Sequence, residues 1–155
     1  MNLRKISKAK KSPQAGDIFI FTLDRTEYMF GMIVTTKARI GPMEECVLIY
    51  IYSHATKDPS KVPELLKHDL LVPPMMTNKR PWTMGYFKTI THTNISHADT
   101  FPAHCFKSSR GRYYDEWGHQ IKPNLKIPCG EWGLQSYRTI DDTISKALGL
   151  QLSKD

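Results

Sequence analysis

Apolar residues in this chain fall into short runs separated by turn residues, a pattern of strands and not of a helical bundle. Asp17 to Leu23 is a nearly unbroken apolar run and predicts a strand covered on both faces. Asp24-Arg-Thr-Glu27 is short enough to be a hairpin connection into a second strand, Tyr28 to Thr36. Gly31 lies inside that strand, where an absent side chain marks a close neighbour or a bend. After a turn at Gly41-Pro42, Cys46 to Tyr52 is the strongest strand pattern in the chain and is assigned to the centre of the sheet. Pro63 to Lys67 predicts one or two helical turns with proline at the first position. At the far end, Thr139-Ile-Asp-Asp142 resembles an N-cap, and Ile140, Ile144, Ala147 and Leu148 share one face of an amphipathic helix closed by Gly149.

Between these elements, Leu70-Leu-Val-Pro-Pro-Met-Met-Thr-Asn runs on into Pro81 to Ile90, which predicts a strand, a rigid corner and a second strand. Its apolar residues have two roles open to them. Met75, Met76, Trp82 and Tyr86 either fill a core or are displayed to a partner, and the core role is favoured because apolar residues near turns are usually buried. Farther on, Phe101 to Phe106 supplies a strand, Asp115-Glu-Trp-Gly118 a hairpin turn, and Pro123 to Gly133 a loop. Together these elements predict a β-rich α+β fold. The sheet is expected to be antiparallel and bent, or a partly open small barrel, with a short middle helix and a C-terminal amphipathic helix.

The 155 residues predict one domain spanning 15–150, preceded by a flexible basic arm at 1–14 and followed by a tail at 151–155. Net charge is +7, and Arg4, Lys5, Lys8, Lys10 and Lys11 put five positive charges into the first eleven residues. Without them the remainder is close to +2, a weak field for nucleic acid, so the arm is expected to be a solvated tail. No apolar stretch reaches the length of a membrane crossing, and membrane contact is not expected. Cys46, Cys105 and Cys129 are odd in number and lack CxxC spacing, which predicts free thiols and a cytoplasmic protein.

Chemistry is sparse. His92, His97, His104 and Cys105 lack the paired spacings of a metal site, and glycine motifs for phosphate are absent, so neither metal nor cofactor is expected. A hydrolase using Cys105 with His104 or His119 and Asp115 is a minor alternative without a supporting signature. Binding residues are easier to find. Arg110, Arg112, Tyr113, Tyr114 and Trp117 are of the types that dominate protein–protein hot spots. The same arginines and rings permit a second function, stacking on single-stranded nucleic acid, which is ranked lower on charge.

The ordered motifs resemble the immunity protein 26 family of bacterial toxin–immunity systems. The resemblance rests on Gly16-Asp17-Ile18-Phe19, Tyr28-Met-Phe-Gly-Met-Ile33, Leu71-Val-Pro-Pro-Met-Met-Thr77, Trp82 and Gly85-Tyr86-Phe87. Tyr114-Asp115-Glu116, Gly118, Ile121 and Ser136-Tyr137 extend it, so that it spans Ala15 to Leu148. It implies a cytoplasmic, non-catalytic protein that binds and neutralises a cognate toxin C-terminal domain. Motif residues are then expected to define the fold, and the loops at Lys37 to Glu45, Ser53 to Lys61 and His92 to Asp99 to define specificity. This places Lys37, Arg39, Glu44 and Glu45 among the expected partner-binding residues. A basic inhibitor further predicts an acidic contact surface on the toxin.

Overall fold

A computed structural model describes residues 1–65, 68–95, 101–123 and 127–154. The first three strands are β1 (Asp17–Phe21), β2 (Tyr28–Ile40) and β3 (Met43–Thr56). They pair antiparallel in sequence order, and β3 continues to β4 (Met75–Thr77). With β5 (Lys88–His92) and β10 (Leu134–Gln135) they form a six-stranded sheet in the order β10-β4-β3-β2-β1-β5. A smaller sheet, ordered β8-β7-β6-β9, uses β6 (Phe106–Lys107), β7 (Tyr113–Tyr114), β8 (Gln120–Ile121) and β9 (Gly130–Glu131). Parallel pairs β10/β4 and β6/β9 make both sheets mixed where an antiparallel sheet was expected, and the sheets are not closed into a barrel; the fold is β-rich α+β, as expected.

The large sheet is apolar on both faces because each face has a cover. Ile18, Ile20, Phe30, Met32, Leu48, Tyr50 and Met76 face one layer, which includes Leu65, Phe101 and Phe106. Phe19, Phe21, Ile33, Val47, Ile49 and Ile51 face the other, with Trp82, Phe87, Ile140 and Ile144. This two-sided burial is why the β1 and β3 runs are nearly continuous. Gly31 is needed where the Phe19 ring of the neighbouring strand lies over β2: a Cβ there would stand 2.2 Å from that ring and 2.8 Å from the Tyr50 carbonyl.

Several elements differ from the sequence expectations. Pro81 to Ile90 is not one strand: Arg80–Thr83 forms a helical turn, α1, with proline at its start, and only Lys88–His92 is extended. Trp82 is fully buried between Phe19 and Phe87, and Met75 and Met76 are buried too, so this stretch is core and not display. Lys37 to Glu45 is not a loop but the tip of a long β2–β3 ribbon. Of the expected middle helix, Leu66 and Lys67 lie outside the described residues, as does part of His92 to Asp99.

The C-terminal helix, α2 (Tyr137–Ala147), starts earlier than expected. Its N-cap is Ser136, whose hydroxyl accepts from the Thr139 amide. Ile140, Asp141, Ile144 and Ser145 are its buried positions, whereas Ala147 and Leu148 are exposed. Asp141 explains another difference. Its carboxylate accepts from the Leu3 amide at 2.6 Å and the Asn2 amide at 3.2 Å, seating the N-terminal segment expected to be free. Leu3 is buried, and the Arg4, Ile6 and Ala9 amides donate to Thr22, Gly85 and Trp82 carbonyls.

Candidate binding face

The β2–β3 ribbon alternates outward Lys37 and Arg39 with buried Ala38 and Ile40. Across its tip, Lys37 Nζ lies 3.4 Å from Glu45 and Arg39 3.2 Å from Glu44, so these four expected binding residues are brought together as two exposed ion pairs. Each such pair stabilises by at most about 1 kcal/mol, which leaves the side chains available to a partner. Glu45 has a φ of 56°, a left-handed conformation that costs a non-glycine residue free energy. Met43 beside it is an exposed large apolar residue.

A backbone hydrogen bond from the Arg39 amide to the Glu116 carbonyl, 2.9 Å, ties the ribbon to the β7–β8 turn. In that turn Asp115 Oδ1 accepts from the Trp117 and His119 amides, and Gly118 takes a φ of 83°. The turn carries Trp117, 38% exposed, between Glu116, which bonds the ribbon, and Gly118, where a Cβ would stand 3.4 Å from the Arg39 Cβ. Beneath it Glu116 points inward, where its carboxylate meets His104 Nδ1, while His104 Nε2 and Tyr50 Oη are 2.6 Å apart. All three side chains are buried, so the chain of hydrogen bonds anchors the turn. Burial pushes the Tyr50 phenol above its usual range, with Tyr52 and Glu116 adding to the effect, and burial does the same to Tyr52.

Cys105 is bonded to Cys129, with Cα atoms 4.6 Å apart. That corrects the expectation of free thiols and removes the hydrolase reading, because a sulfur in a disulfide cannot act as a thiolate nucleophile. Cys46 alone is free among the described residues and is buried. The thiol argument for a reducing compartment therefore falls.

Arg110 and Arg112 stand elsewhere, on the exposed β6–β7 turn at the other end of β7 from Trp117. Their neighbouring rings are already engaged. Tyr114 stacks on Trp132 with centroids 4.2 Å apart, and Lys107 lies over Tyr113. The structure thus divides the expected residues into a ribbon–Trp117 face and a separate arginine turn. Met43 was missed, although its place after Gly41-Pro42 at the ribbon tip was a usable signal. The Tyr50–His104–Glu116 group was missed because nothing local marks partners so far apart in sequence. Among the described residues no cluster of His, Cys, Asp or Glu could hold a metal, and no helix is long and apolar enough to cross a membrane.

No curated protein and no solved structure matches the chain. The family model for Immunity protein 26 matches residues 14–115, about two thirds of the chain, from just before β1 to the end of β7. The matched region holds the central strands, the buried Trp82 corner and the whole β2–β3 ribbon, and by that match the chain belongs to the Immunity protein 26 family.

Proposed function

We propose that this immunity protein binds the C-terminal domain of a cognate toxin tightly and without covalent chemistry, and so neutralises it inside the cell that makes it. The observation that carries this is the family match over residues 14–115. The contact face is the ribbon tip with Trp117: an exposed aromatic and Met43 supply apolar anchors, and Lys37, Arg39, Glu44 and Glu45 supply charges of both signs. Binding there exchanges two intramolecular ion pairs for intermolecular ones at little cost, since exposed pairs are weak.

Coexpression with the polypeptide encoded beside it tests the function. Protection of growth and copurification of the two chains are expected, and Trp117→Ala with Met43→Ala should weaken the complex by about 2 kcal/mol or more while leaving the fold intact. A toxin that kills despite abundant folded partner, with no complex recovered, contradicts the proposal.

A further inference from the structure

The positive charge at the N-terminus is held in place by the fold. Residues 3–9 are seated by the amide bonds from Leu3, Arg4, Ile6 and Ala9, and Gln14 and Gly16 are fixed again by Asp17 and the Ile33 carbonyl. Between these anchors the segment passes alongside β5, leaving a groove of about 700 Å³ lined by Lys8, Lys10, Lys11, Lys88, Asp17 and His92 among others. The four lysines are exposed, and none makes an ion pair among the described residues. Asp17 is spoken for: its carboxylate takes His92 at 2.8 Å and the Gln14 amide at 2.9 Å. At the ribbon tip, by contrast, each cation already has its carboxylate.

The groove's floor is a sheet edge. β5 is the end strand of the large sheet, pairing with β1 on its inner side and with no strand on its outer side among the described residues. An open edge accepts an added strand through backbone hydrogen bonds, with flanking side chains setting the choice of strand. Two copies of this chain would bring like charges together at that edge, which disfavours self-pairing and selects an acidic partner. β5 is five residues long, roughly 17 Å, enough to pair with about five residues of an extended segment.

We propose that this groove takes an acidic, extended polypeptide segment as a strand added to β5, its carboxylates meeting Lys8, Lys10, Lys11 and Lys88. That the segment belongs to the toxin rests on the immunity reading above. The site is separate from the ribbon–Trp117 face, so a toxin carrying such a segment is gripped at two places.

The probe is a short fluorescein-labelled peptide of alternating glutamate and valine, titrated into the intact chain and followed by anisotropy. Binding that weakens with salt is expected, and the triple variant Lys8→Glu, Lys10→Glu, Lys11→Glu should lower affinity about tenfold or more. The same peptide N-methylated at alternate amides keeps its charge but cannot pair as a strand, and it should lose binding without any change to the protein. Equal binding of the N-methylated or a lysine–valine peptide overturns the proposal, as does tighter binding of a thymidine oligonucleotide of similar length. Growth protection separates this from the immunity reading. Loss of protection in the triple variant supports the proposal, and full protection by a variant that no longer binds peptide overturns the assignment to the toxin. Absence of protection even by the unaltered chain, with peptide binding intact, overturns the immunity reading and leaves the groove's specificity standing.

Discussion

Replacing Trp82 by alanine separates a structural role from a binding role at the centre of the corner between β4 and β5. The side chain is fully buried, with its ring edge-on to Phe19 and Phe87 at 5.2 Å from each centroid. Truncating a buried tryptophan costs about 3–5 kcal/mol in transfer and cavity terms. One term opposes this: the indole Nε1 is buried without a hydrogen-bond partner, and removing that donor returns about 1 kcal/mol. The Trp82 carbonyl, which accepts from Ala9 and Gly85, is unaffected by the substitution. The expected loss is therefore about 2–4 kcal/mol, or roughly 6–12 °C in Tm for a domain of this size. Urea titration followed by circular dichroism measures it, and toxin affinity measured on the folded variant should be unchanged. A Tm within about 2 °C of the parent, combined with lost toxin binding, would refute the assignment of Trp82 to the core.

Three other outcomes follow from the same contacts. Asp141→Ala leaves the Asn2 and Leu3 amides without their acceptor and should cost about 2–4 kcal/mol, with faster hydrogen exchange at Leu3 as the local signature. Burial holds the Tyr50 and Tyr52 phenols of the folded chain above the ordinary value of about 10, so their contribution to stability is complete below about pH 10 and is lost as pH rises. Above that point the unfolded chain sheds protons the folded chain retains, and stability should fall by up to about 2.7 kcal/mol per pH unit for the two together, read from urea midpoints between pH 9 and 11.5. Thiol titration of the protein denatured without reductant should find one reactive group, Cys46, and three after reduction, whereas three in the unreduced protein would mean that Cys105–Cys129 does not form.

Much of the large sheet was legible in the sequence because its strands are long and buried on both faces, so Asp17 to Phe21 and Cys46 to Tyr52 stand out as apolar runs. The second sheet was nearly invisible. Its strands are two residues long, too short to show a period, and are held by cross-strand partners such as Cys105 and Cys129. Pro81 to Ile90 resembles an alternating aromatic strand, yet Pro81 is equally a helix-opening residue, and the burial of Trp82 goes with a helical turn over Arg80–Thr83. Its lysines make the N-terminal segment look like a solvated arm. What seats it is backbone: amides bonding to Asp141, Thr22, Gly85 and Trp82, which side-chain composition does not reveal. For the candidate face, Trp117 follows from residue type, and Lys37, Arg39, Glu44 and Glu45 from lying outside the family motifs. That a ribbon would carry those four to the β7–β8 turn depended on the Arg39–Glu116 backbone bond, which sequence does not report.

Whether this Immunity protein 26 family member neutralises a toxin by direct binding is decided by titrating the purified chain into the proposed cognate toxin domain, with residual toxin activity and heat of binding read on the same samples. A one-to-one complex whose formation tracks the loss of toxin activity is the predicted result. Full toxin activity in the presence of excess folded chain, with no heat of binding, would contradict it.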